Sequence, residues 1–129
     1  MSSEDFKRFD SLKLFMHQIY EYRKGVRKLV LCTMAPACAS ILCERLDSQH
    51  IAWKMQEVPS GKVNLYFGDP VCLRVVGTFI RKPLNELTPA EDFMLGAMLG
   101  YDIGQQCARY CKRAAVRSEE HTSELQSPS

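Results

Sequence analysis

Apolar and polar residues alternate most clearly in the middle of the chain, on either side of a turn. The segment 51–55 has an apolar residue at every second position, and the segment 63–67 repeats this pattern. A period of two is typical of strands with one buried face. Pro59, Ser60 and Gly61 lie between the segments and favour a tight turn, so this region is predicted to be a β-hairpin.

Before the hairpin, the spacing changes to that of helices. Residues 6–24 place apolar side chains three and four apart, which predicts an amphipathic helix ending at Gly25. Residues 12–15 also fit a short strand, and that alternative stays open. Residues 27–33 hold a continuous apolar run that predicts a buried strand, and residues 36–49 carry their apolar side chains on one helical face.

After the hairpin, two start signals predict two more helices. Asp69-Pro70 supplies an N-cap and a first-turn proline for a helix through Phe79. Thr88-Pro89-Ala90-Glu91 has the spacing of a capping box, so a last helix is predicted from there to about Arg113.

The resulting element order, α-β-α-β-β-α-α, predicts an α+β fold. We expect a two-layer arrangement in which a three-stranded sheet packs against about five helices laid on one face. Residues 1–116 are predicted to form a single domain.

The last predicted helix contains small residues four positions apart, namely Gly96, Gly100, Gly104 and Ala108. Glycine inside a helix costs about 1 kcal/mol relative to alanine, so this spacing needs a structural reason. We interpret it as a groove for the close approach of another helix, within the chain or across a dimer axis. Because Leu95, Leu99, Ile103 and Tyr110 widen the apolar arc, the helix is expected to be covered on two sides.

Charge does not favour nucleic acid as a partner, since the formal net charge is only +2. Basic residues are concentrated at one place, Arg23, Lys24, Arg27 and Lys28. These complement a helix C-terminus, and they also form a candidate docking patch for an acidic protein. The chain has neither a long apolar run nor the features of a signal peptide, so we expect a cytoplasmic protein without a membrane segment.

Six cysteines are interpreted mainly as reduced thiols that pack in the core. Cys107 and Cys111 lie one helical turn apart and are weak candidates for a metal or redox site, since no second pair of ligands stands at a recognisable distance. No resident metal or cofactor is predicted. His17, Tyr20 and Glu21 share one helical surface and would suit acid–base chemistry, but an ordinary exposed face is favoured and no catalytic residue is predicted.

The segment from Arg117 to Ser127 reads as a translated sequencing adapter. We therefore exclude residues 117–129 from the interpretation of the fold, expect them to be disordered, and remove His121 from the candidate ligands.

Four segments carry a resemblance to a known family: 17–25, 29–33, 56–64 and, most specifically, Glu86-Leu-Thr-Pro-Ala-Glu-Asp-Phe-Met-Leu-Gly-Ala-Met-Leu-Gly-Tyr-Asp102. Over about residues 14–113 the chain resembles the bacterial family described as domain of unknown function 2023. The resemblance implies a three-stranded, helix-rich domain that forms a homodimer, with no assigned activity. The resemblance also implies that genes of this family lie beside flavodoxin genes, which suggests the hypothesis that the basic patch docks the acidic surface of a flavodoxin.

Three functions are compatible with these observations. The leading hypothesis is a non-enzymatic homodimeric accessory or partner-binding domain, because the unusual residues serve helix packing. The first alternative is a thiol-based metal or redox protein that uses Cys107 and Cys111. The second is a small-ligand sensor or enzyme with a pocket between the hairpin and the last helix.

Overall fold

A computed structural model describes the backbone of residues 3–121 and the side chains of residues 12–116. The elements are α1 (Ser3–Arg23), β1 (Leu29–Met34), α2 (Pro36–Ser48), β2 (Ala52–Glu57), β3 (Val63–Gly68), α3 (Pro70–Gly77), α4 (Pro89–Met98) and α5 (Ile103–His121), with a short 3₁₀ turn at Leu84–Glu86. The α+β class and the three strands are confirmed. None of the helices within the described range has both the length and the apolar character needed to cross a membrane.

The three strands form one antiparallel sheet in the order β1-β3-β2. The predicted hairpin is confirmed, with Trp53 opposite Phe67 and Met55 opposite Leu65. Its turn is closed by a backbone hydrogen bond from the Val58 amide to the Lys62 carbonyl at 3.0 Å. Because β1 also pairs with β3, the central strand is buried along its whole length and the other two strands form the edges.

Helices cover both faces of the sheet, whereas the sequence predicted helices on one face. Alternate residues of β1 point to opposite sides: Val30 belongs to a core formed with α1 and α2, and Leu29 belongs to a second core formed with α3 and α4. The period of two within β1 and β3 therefore serves two apolar layers. The two-layer expectation is corrected to a sheet between two helical layers.

Local capping residues set the start of two helices as predicted. The Asp69 side chain accepts a hydrogen bond from the Val71 amide at 2.8 Å and begins α3. Thr88 and Glu91 form the complete capping box of α4. At the other end of the chain, α1 is one continuous helix through residues 12–15, so the strand alternative is excluded.

Candidate functional site

The predicted last helix is two helices, because the chain breaks between Met98 and Ile103. Gly100 has a φ of +82°, its amide bonds to the Ala97 carbonyl, and the Tyr101 amide bonds to the Gly96 carbonyl. This pattern is a Schellman motif, which ends a helix at a residue with left-handed backbone. Asp102 then begins α5 by accepting a hydrogen bond from the Gln105 amide at 2.9 Å.

Because of this break, the small residues that were predicted to line one groove lie in three different places. Gly96 is buried on α4 and faces the Gln106 side chain of α5. Gly100 belongs to the turn, and Gly104 and Ala108 are exposed on α5. The expectation of one continuous groove through Gly96, Gly100, Gly104 and Ala108 is therefore wrong. Gly96 alone of the four lies in the contact between the two helices.

Helix α5 packs on α4 through a largely polar seam. The Asp92 carboxylate receives hydrogen bonds from Arg109 Nε at 2.7 Å and Nη2 at 3.2 Å, and it lies 3.2 Å from Arg113 Nη1. Hydrogen bonds from Arg109, with the charges of both arginines, hold the pKa of Asp92 below its usual value. Next to this cluster, the rings of Phe93 and Tyr110 meet edge to face at 6.0 Å.

The neighbouring side of α5 is apolar and exposed. At 100° per residue, the arc beside the α4 seam contains Ile103, Gly104, Cys107, Cys111 and Ala114, and we call this arc the α5 face. Ile103 is 57% exposed, and Cys107 and Cys111 are exposed.

This exposure bears on two expectations. Of the predicted helix, only the first half, with Leu95 and Leu99 on α4, is buried in the core of the single chain, so coverage of the second side within the chain is excluded and coverage across a dimer axis stays a prediction. The interpretation of Cys107 and Cys111 as core residues is likewise wrong for the single chain.

Three other cysteines, Cys32, Cys43 and Cys72, lie in surroundings that suppress thiolate formation. Burial raises the pKa of Cys32 to about 11, against the hydrogen bond from its Sγ to Gln18 Oε1 and the nearby charge of Arg27. Burial also raises the pKa of Cys43 and Cys72. Across the residues whose side chains are described, no group of three His, Cys, Asp or Glu is arranged to hold a metal ion.

The predicted basic patch lies at the end of α1, and three of its four residues have contacts within the chain. Arg27 Nε binds Glu21 Oε2 at 3.1 Å, Arg23 Nη2 donates to the Gln49 carbonyl at 3.3 Å, and Lys24 lies over the Tyr20 ring at 5.5 Å. Arg23, Lys24 and Lys28 are exposed, so the patch remains accessible to a partner.

The candidate acid–base residues lie on the exposed surface of α1. His17 Nε2 is 3.1 Å from Glu21 Oε1, and the His17 side chain is 66% exposed. Because Glu21 also pairs with Arg27, its carboxylate joins α1 to the segment that leads into β1. This arrangement serves as a surface ion pair between two elements.

A row of polar side chains that no spacing in the sequence indicates crosses one end of the sheet. Thr33 donates to Asn64 at 2.6 Å, Asn64 donates to Gln56 at 3.0 Å, and Tyr66 also donates to Gln56 at 3.3 Å. Gln56 Nε2 donates to the carbonyls of Ile80 and Lys82 at 2.6 and 2.7 Å. Through these hydrogen bonds, the row connects the loop after α3 to the sheet.

The same row forms part of the floor of a cleft of about 870 Å³ between the hairpin and the loop that contains Ile80 and Leu84. Apolar side chains, including Met55 and Val58, line its walls. The ligand pocket was expected between the hairpin and the last helix, but this cleft lies beside residues 80–85 instead. The hydrogen bond that Asn64 donates to Gln56 and the one that it accepts from Thr33 explain why the buried Asn64 amide is tolerated.

A family model matches residues 13–113, and its description is a protein of unknown function, DUF2023. The chain belongs to the DUF2023 family. The family resemblance seen in the sequence is thereby confirmed, with boundaries one residue wider at the start. No curated protein matches the chain.

The DUF2023 match places most of the features above inside the family's domain. It covers α2, α3, α4, the whole sheet and α5 as far as Arg113. Helix α5 continues to His121, through residues 117–121 that were expected to be disordered. Residues 122–129 of the predicted adapter segment lie outside the described residues.

Proposed function

We propose that this DUF2023 protein is a non-enzymatic homodimeric accessory domain that binds another protein. The observation that carries the proposal is the exposed α5 face. Helix α5 begins with its own N-cap and packs on α4 through arginine–carboxylate pairs. Its neighbouring side leaves Ile103, Cys107 and Cys111 in contact with water. Apolar surface concentrated on one side of a helix marks an interaction site in soluble proteins.

The composition of the α5 face favours a helix of a second copy as its occupant. Gly104, Cys107, Cys111 and Ala114 are small, so a second helix axis approaches closely without a clash. Ile103 and Tyr110 flank them and supply apolar area. Symmetric pairing of one surface with itself is the commonest form of protein oligomer.

Two variants that add the same charge at neighbouring exposed positions test this proposal. Ile103→Asp places a carboxylate on the α5 face, and Gln105→Asp places one on the exposed side away from it. Both lie in the first turn of α5, where an acidic residue suits the helix dipole. Sedimentation equilibrium of the full chain is expected to show a dimer for wild type and Gln105→Asp, and at least about tenfold weaker association for Ile103→Asp.

Equal effects of the two variants would contradict the role of the α5 face. A monomeric wild-type protein at micromolar concentration would contradict the homodimer itself. Circular dichroism of both variants checks that the helices are retained.

The partner of the dimer is proposed to be an acidic protein, for which a flavodoxin is the first choice. Arg23, Lys24 and Lys28 form the exposed basic surface, and complementary charge mainly increases the rate of encounter. Titration against a flavodoxin at low and at physiological salt is the test. Binding that weakens with salt and with Lys28→Glu supports the proposal, and no binding at low salt contradicts it.

The exposed cysteines favour one alternative. Cys107 and Cys111 are the accessible thiols one turn apart, so a redox or metal role belongs to them and not to Cys32, Cys43 or Cys72. Loss of dimerisation or partner binding when metal is removed from the wild-type protein, and the same loss in the Cys107→Ser/Cys111→Ser variant without metal removal, would favour that alternative.

A further inference from the structure

The contact between the row of polar side chains and the loop after α3 fixes the direction of every hydrogen bond in that row. Both N–H groups of the Gln56 amide donate to backbone carbonyls, those of Ile80 and Lys82. A carbonyl can only accept, so the oxygen of this amide, Gln56 Oε1, is the atom left to accept from the row. Asn64 Nδ2 therefore donates to Gln56 Oε1, and so does the hydroxyl of Tyr66, whose pKa burial raises to about 12.

The same direction extends to the opposite end of the row. Because its nitrogen donates to Gln56, the Asn64 amide has its oxygen available for Thr33, and the Thr33 hydroxyl donates to that oxygen at 2.6 Å. This bond uses the hydroxyl proton of Thr33, so that its oxygen can only accept a further hydrogen bond. Thr33 is exposed and lines the cleft, which places one acceptor within reach of a ligand.

A hydrogen-bond donor lies beside this acceptor. Asn64 Nδ2 carries two N–H groups, and among the described residues only one of them has an acceptor, Gln56 Oε1. Asn64 is 5% exposed, and an N–H without an acceptor is costly at such a buried position. Since Asn64 also lines the cleft, an acceptor bound there would satisfy the second N–H. Thr33 and Asn64 are register partners on neighbouring strands, so the cleft floor offers an adjacent acceptor and donor.

The walls of the cleft favour a neutral ligand with an apolar body. Apolar residues of the loop and of the hairpin make up most of the lining and include Ile80, Pro83, Leu84, Met55 and Val58. Each wall also contributes one charge, Arg81 from the loop and Glu57 from the hairpin, so the lining has no net charge that would favour an ion. The volume of about 870 Å³ lies within the range of small-molecule sites, which are mostly apolar with a few converging polar groups.

We propose that this cleft binds a neutral heterocyclic lactam, whose ring N–H donates to Thr33 Oγ1 and whose adjacent ring carbonyl accepts from Asn64 Nδ2. A lactam ring holds its N–H and its C=O side by side on one edge, as the floor requires, and its flat body suits the apolar walls. Nucleobases that contain a ring amide belong to this class. The inference goes beyond the proposed protein-binding function and does not depend on the homodimer.

The cleft is open to water, since Met55 and Leu84 on its walls are each 37% exposed. A ligand held there exchanges with the solvent and is expected to be lost during purification.

NMR titration of the full-length protein with 2-quinolinone, a bicyclic lactam, tests the site. The matched probe is N-methyl-2-quinolinone, which has the same rings and carbonyl but lacks the N–H. We expect 2-quinolinone to bind saturably with a Kd of about 1 mM or below and to shift the side-chain amide resonances of Asn64. The N-methyl probe is expected to bind at least about tenfold more weakly, because it leaves the Thr33 oxygen without a donor.

Variants at Thr33 test the assigned hydrogen bond. Thr33→Val replaces the hydroxyl with a methyl group and is expected to weaken the binding of 2-quinolinone at least about tenfold, whereas Thr33→Ser keeps the hydroxyl and restores binding. Thr78→Val is the control, because it removes a hydroxyl that donates to the Val75 carbonyl, outside the cleft. The backbone amide spectrum of each variant shows whether the fold is retained.

Two results would overturn the proposal. Equal binding of the two probes to the wild-type protein, or of 2-quinolinone to wild type and Thr33→Val, would overturn the assigned hydrogen bonds. No saturable binding of 2-quinolinone up to about 5 mM would overturn the site itself. Both results leave the test of the homodimer at Ile103 unaffected, because Ile103 does not line the cleft.

Discussion

Gly96 of α4 lies directly against Gln106 of α5, so that a methyl group at position 96 would come within 2.7 Å of Gln106 Cδ. Because the atoms in the way are the far end of the flexible Gln106 side chain, Gly96→Ala is expected to displace that side chain and to leave the free energy of unfolding nearly unchanged, the lost Gln106 packing offsetting a gain of about 1 kcal/mol in helix propensity. Urea denaturation measures this change. In the Gln106→Ala background the same substitution is expected to stabilise the protein by about 1 kcal/mol, because the obstructing side chain is gone and the gain in helix propensity remains. Additive effects in this double-mutant cycle would contradict the close contact.

The helix break at Gly100 can be tested by the sign of the change in stability that Gly100→Ala causes, because two separate helices and one continuous helix predict opposite signs. Gly100→Ala is expected to destabilise by about 1 to 2 kcal/mol, since its φ of +82° disfavours any residue with a Cβ. A continuous helix would instead gain about 1 kcal/mol from the same change. Gly104→Ala, in ordinary helical backbone, is the matched control and is expected not to lower the melting temperature. Stabilisation by Gly100→Ala would contradict the break.

The arginine pairs of Asp92 predict a pH dependence for the α4–α5 seam. The pKa of Asp92 is lower in the folded state than in the unfolded state. The ionised Asp92 carboxylate therefore stabilises the fold at pH values above its unfolded pKa, and this stabilisation is lost as the pH falls through its folded pKa. Asp92→Asn is expected to cost about 1 kcal/mol at pH 7, the partial exposure of Arg109 keeping the value small. The difference in the free energy of unfolding between Asp92→Asn and wild type becomes smaller below about pH 4, where the wild-type carboxylate is increasingly protonated. A difference that stays constant down to pH 3 in urea denaturation would refute this role.

Thiol reactivity is expected to divide the cysteines by position. At pH 8, iodoacetamide is expected to modify Cys107 and Cys111 first. Cys32, with its pKa raised to about 11, has roughly a hundredfold less thiolate than an ordinary cysteine and reacts far more slowly. Peptide mass spectrometry follows each site, and the unfolded protein in guanidinium provides the control in which the differences vanish. Equal rates for Cys32 and Cys107 in the folded protein would contradict the burial of β1.

The sequence predicted the elements with strong local signals. The hairpin around Gly61 and the capping box at Thr88 depend on short-range spacing, so the fold reproduces them. The number of strands and the fold class follow from these signals. The coverage of both sheet faces did not follow, although the uninterrupted apolar run at Leu29 to Cys32 is the pattern of a strand buried on both sides.

The candidate site was harder to predict, because the sequence around Gly100 fits two different structures. A glycine four residues from two others fits a helical groove, and a glycine after an apolar helix also fits its C-terminal cap. Asp102, two residues later, is an N-cap residue and was the signal for the second meaning. The row of Thr33, Asn64 and Gln56 depends on pairing between distant strands, which spacing along one chain does not reveal.

Native mass spectrometry of the full chain tests the central claim, that this protein is a homodimer without a bound group. The protein is purified under reducing, oxygen-free conditions without chelator, so that stoichiometry and bound mass are measured together. The expected mass is twice the 14.7 kDa chain mass, with nothing added. A monomer at micromolar concentration would contradict the dimer, and a dimer of greater mass would contradict the non-enzymatic interpretation in favour of the thiol site or the cleft.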